Sequence, residues 1–79
     1  MKANVKIIKE VPEIIKDKEW HLYFQKCEWN YEDGGKDTGY RFIWRKPDGK
    51  LQPARGQARI PSKEEMMQLI YLAETAGMF

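Results

Sequence analysis

Side chains that could act as nucleophiles, metal ligands or proton carriers are few in this 79-residue chain. His21 and Cys27 are its one histidine and one cysteine. A closed structural zinc site takes four ligands, so the pair cannot form one within a single chain. A catalytic dyad fares no better: six residues along a strand is about 20 Å, far beyond hydrogen-bond reach. Ser62 is the only serine, and its position before "KEEMMQ" suits a helix cap rather than a nucleophile. Glu28 and Glu32 are possible acid–base partners on spacing alone, but nothing marks a pocket around them. "GGKDT" (34–38) lacks the glycine spacing of a phosphate loop and sets Asp37 where Ser or Thr is needed. "EDGGKD" lacks the alternating oxygen ligands of a calcium loop. The expectation is a non-enzyme with no catalytic residue, no metal and no cofactor.

What remains is charge. The net charge of +2 conceals a strong asymmetry. Arg41, Arg45, Lys46, Lys50, Arg55, Arg59 and Lys63 face Asp48 alone across residues 38–63, and all of the arginines lie there. The segments before and after are net acidic. A basic segment of this kind points to an anionic partner and carries no information about fold. Arg41, Arg45, Arg55 and Arg59 are the candidate ligand-binding residues.

Elements must then be found that bring those arginines together. "YRFIWRK" (40–46) reads as a strand with Tyr40, Phe42 and Trp44 on one face and Arg41, Ile43 and Arg45 on the other. "EWHLYFQKCEWNY" (19–31) is a second strand, with or without a bulge. The glycine-rich "EDGGKDTG" (32–39) forms the turn between them. "KPDGK" (46–50) signals a tight turn. "LQPARGQARI" (51–60) then reads as a returning strand delayed by Pro53, with Ala54, Gly56, Ala58 and Ile60 opposite Arg55, Gln57 and Arg59. At the N-terminus a strand is expected at 4–9 and a helical turn or loop at 12–18.

The last element is the best signalled. Ser62 followed by Glu65 is a capping box, Glu64 and Glu65 suit the positive end of the helix dipole, and Gly77 is a natural stop. Met66, Leu69, Ile70, Ala73 and Ala76 or Gly77 form the apolar stripe of a helix over 63–76. The fold expected is α+β: a small antiparallel sheet of three to four strands, a meander, packed against one C-terminal α-helix. With so few residues it is one domain, 1–79, near the lower size limit for folding without staples.

Placing Phe42 and Trp44 beneath that helix leaves Arg41, Arg45, Arg55 and Arg59 on the opposite, exposed face. Four like charges there need solvent, an acid such as Glu28 or Glu32, or a bound anion. "TGYRFIWR" partly resembles the aromatic octapeptide of RNA-recognition sheets. It matches at Gly39, Tyr40, Phe42 and Ile43, misses at Thr38, Arg41 and Arg45, and has no helix ahead of it in the required order. The family is not assigned on that basis. The physical logic survives: arginines meet phosphates, and Tyr23, Trp29 or Tyr31 could stack on bases. The first functional expectation is therefore a nucleic-acid-binding or other anion-binding module. The alternative is a protein-interaction module or homodimer, because three Trp, four Tyr and four Met exceed what one small core holds. One cysteine, the absence of a signal-type segment and the absence of a run of roughly 20 apolar residues lead to a cytoplasmic expectation without membrane contact.

Overall fold

The computed structural model describes residues 3–13, 15–52 and 58–79. Among them lie three strands and a helix: β1 (Ala3–Val11), β2 (His21–Tyr31), β3 (Lys36–Arg45) and α1 (Lys63–Thr75). The strands pair antiparallel in the order β1-β2-β3, and the helix packs on the sheet, giving the α+β meander that the sequence pattern implies. The composition of the meander differs from expectation. Its third member is the N-terminal strand, paired along nearly all of β2. Residues 58–60 are not strand, and the return of the chain after β3 is limited to a bridge between Arg45 and Leu51. The rest of the expected strand at 51–60, with Arg55, lies outside the described residues.

Two turns account for the hairpin and for the exit from β3. Gly34 takes a φ of +90° between β2 and β3, where a side chain would be strained, and the Tyr31 amide donates to the Gly35 carbonyl at 2.8 Å. Closing the hairpin there lets β3 begin at Lys36 rather than at residue 40. Past β3, Gly49 takes a φ of +85° and donates to the Lys46 carbonyl in the "KPDGK" turn.

Helix α1 begins as its cap predicts. The Ser62 hydroxyl accepts from the Glu65 amide at 3.1 Å, although the return bond that would complete a capping box is not made among the described residues. Its end is a full Schellman arrangement: Gly77, at a φ of +72°, donates to Glu74, and Met78 donates to the Ala73 carbonyl. The Lys9 ammonium adds a bond to the Ala76 carbonyl at 2.5 Å, a cation at the negative end of the helix.

The helix lies against β1 and β2 and not against β3. The core beneath it consists of Val11, Leu22, Phe24, Leu69, Ala73 and Met78, flanked by Phe42, Trp44, Leu72 and Ala76. Phe42 and Trp44 thus sit on the helix side, as alternation requires. They are only partly covered, because the helix stops short of their strand.

Candidate functional site

The face away from the helix is not an open basic surface. Tyr23, Gln25 and Cys27 are fully buried there, with Ile43 beside them. Part of the cover comes from the segment between β1 and β2: the Tyr23 hydroxyl donates to the Glu13 carbonyl and accepts from the Ile15 amide. This removes Tyr23 from the candidate base-stacking residues. Trp29 and Tyr31 stay half-buried on the same face.

Arg45 is held on three sides. One terminal nitrogen donates to both Glu10 carboxylate oxygens at 2.8 Å, and the other donates to the Gly49 carbonyl at 2.7 Å. Its guanidinium lies 5.0 Å from the centre of the Tyr23 ring, in cation–π range. Only its Nε, buried, lacks a partner among the described residues. Arg41 donates from Nε to the Gln25 side-chain oxygen at 2.8 Å, and Gln25 donates to Glu10 at 3.2 Å. Glu10, Gln25, Arg41 and Arg45 therefore form one connected polar network. The acid expected for this task was Glu28 or Glu32. Glu28 pairs with Lys6 and Thr38, one residue out of phase with Gln25, and so faces the helix side. The Cys27 thiol lies under the same network, and burial pushes its pKa up.

Arg59 does not join Arg41 and Arg45. Its carbonyl accepts from the Trp44 indole at 2.8 Å, which places its backbone beside the helix-side residues of β3. There Trp20, Trp44, Gln52 and Arg59 line an open pocket of about 230 Å³. Trp20 is 49% exposed. The turn that leaves β3 immediately beyond Trp44 carries Lys46 and Lys50. So the structure joins two of the four predicted arginines in one polar network in which Arg45 is paired by Glu10, sets the third at an aromatic pocket, and leaves Arg55 outside the described residues.

Trp20 was missed by sequence reasoning as a site residue. The available signal was its parity: two residues before Leu22 on an extended chain, it falls on the face of Trp44, since Leu22 and Trp44 are direct partners. Elsewhere the titratable groups act locally. Asp17 accepts from His21 at 2.7 Å, and that bond lowers its pKa. Asp37 accepts from the Tyr31 hydroxyl at 2.9 Å, which raises the pKa of the phenol. Among the described residues no group of three potential metal-ligating side chains converges, and no helix is long and apolar enough to cross a membrane. Compared with protein-family models, curated proteins and solved structures, the chain matches none significantly.

Proposed function

We propose that this domain is a small non-catalytic binding module for single-stranded nucleic acid, with the Trp20–Trp44 pocket receiving a base and neighbouring cations receiving phosphates. The observation that carries this is the convergence of two indoles, an amide and Arg59 on one open pocket, next to the lysines of the 46–50 turn. At about 230 Å³ the pocket is smaller than the roughly 300–1,000 Å³ of a typical small-molecule site, which limits it to a small group such as one base. Bases in a duplex are already stacked on each other, so an indole platform of this kind favours single strands. Arg45 is engaged by Glu10 and Arg41 lies on the opposite face from Trp44, so among the described residues the cations offered to phosphates are Arg59, Lys46 and Lys50.

Titration with oligothymidine, read by tryptophan fluorescence, tests the proposal. Quenching is expected, with affinity falling steeply as salt rises because counterions are released. Trp20→Ala should weaken binding by about 1–3 kcal/mol, the usual worth of one stacked base, and leave the salt slope unchanged. Arg59→Ala or Lys50→Ala should lower that slope by about 0.7 each if each meets one phosphate. A titration flat in salt, or one indifferent to Trp20, refutes the proposal.

A further inference from the structure

Among the described residues strand β3 is an edge of the sheet, and the phase of its hydrogen bonds shows which of its backbone groups are turned outward. The Tyr31 amide bonds to Gly35, so odd-numbered residues of β3 point their backbone groups at β2. Even-numbered residues point away. The Trp44 carbonyl accepts from Gln52, and the Lys46 amide donates to Lys50, both on that outer side. Thr38, Tyr40 and Phe42 share the phase, and among the described residues nothing bonds to their outward groups.

Long unguarded edges invite pairing, and proteins that avoid it use bulges, prolines or inward charges. The other edge, β1, carries a register shift between Ile7 and Lys9. Strand β3 has neither register shift nor proline: its register with β2 runs unbroken from Arg45 to Lys36. Beside this edge, on the helix side, stand Tyr40 and Phe79, 44% and 59% exposed with ring centres 5.2 Å apart.

We propose that two copies of this chain pair antiparallel along their β3 edges, with Gly39 of one copy opposite Gly39 of the second. Outward hydrogen bonding admits only registers in which even residues face even residues. Within that set, charge selects one. With Gly39 at the twofold axis, Asp37 faces Arg41 of the second copy, and symmetry makes the pair twice. A shift of two residues either way sets Arg41 or Asp37 against Gly39. A shift of four in either direction sets Arg41 against Arg41 or Asp37 against Asp37, which is repulsive. Both side chains lie on the face away from the helix. Arg41 is held only through Nε, and Asp37 accepts the tyrosine through Oδ2, so a donor pair and an acceptor remain for the contact. Thr38 faces Tyr40 of the second copy on the other side, beside the exposed aromatic pair.

Sedimentation or light scattering across a concentration series should show a reversible dimer. Asp37→Arg sets like charges opposite each other twice and should raise the dissociation constant on the order of tenfold or more. Thr38→Pro deletes an outward donor, a substitution an edge strand tolerates, and should give a monomer with unchanged circular dichroism. Without any variant, the Thr38 and Tyr40 amides should be protected from hydrogen exchange when concentrated and lose protection on dilution. A monomer at all concentrations, assemblies larger than a dimer, or a dimer in which those amides exchange freely overturns the proposal.

Discussion

At Glu10 one carboxylate accepts from Arg45 and from Gln25, and its removal strands both donors where little water reaches. Arg45 and Glu10 side chains are only 15% and 20% exposed, so the pair belongs with buried ion pairs rather than surface ones. Glu10→Ala should therefore cost about 2–4 kcal/mol, measured by urea unfolding, because an unpaired buried charge is left behind. The double change Glu10→Leu with Arg45→Met should recover much of that loss, since apolar replacements of a buried pair are often neutral. A loss under about 0.5 kcal/mol for Glu10→Ala would place the pair among exposed ones and refute the network's structural role. Residue parity on β3 was legible in "GYRFIWR", whose aromatics and arginines do take opposite faces. The partner of Arg45 was not legible. It depends on the pairing of β1 with β2 and on the register shift between Ile7 and Lys9, which brings Glu10 opposite Gln25. Local sequence contains no trace of that register.

Elements were legible in proportion to how far local chemistry decides them. Helix α1 has its cap, its acidic first turn and its glycine stop in adjacent residues, and it spans Lys63–Thr75 against an expected 63–76. Its covered stripe was legible too: Leu69 and Ala73 are buried and Met66, Ile70 and Ala76 half-buried, with Leu72 added at the core margin. Of the returning strand expected at 51–60, the described residues keep only the bridge at Leu51, and at 58–60 the chain is not strand and gives the Arg59 carbonyl to an indole instead. For the helix, Ser62→Ala should lower stability by about 1 kcal/mol, since the hydroxyl is the cap's only side-chain acceptor for a first-turn amide among the described residues. Thermal melting at fixed pH reads this directly. An unchanged melting temperature would mean that water serves the Glu65 amide equally well.

For the molecule as a whole, the two proposals together set a geometry. Trp44 lies five residues from Gly39 along β3. In an edge-paired dimer the two Trp44 positions would then be roughly 30–35 Å apart along the strands, at the usual rise per residue. Each aromatic pocket lies at the far end of its own β3, so one flexible strand of nucleic acid could occupy both only if it is long enough to span that distance. A short oligonucleotide should bind each pocket independently, whereas one of about 20 nucleotides should gain from the second contact being intramolecular. The expected gain is tenfold or more over the short ligand for the wild-type protein, beyond the statistical advantage of extra sites. Thr38→Pro should abolish that gain while leaving short-oligonucleotide affinity unchanged, because the variant separates the copies and leaves Trp20, Trp44 and Arg59 untouched. Equal length dependence in both proteins would show that the pockets act singly, even if each binds a base and even if the dimer forms.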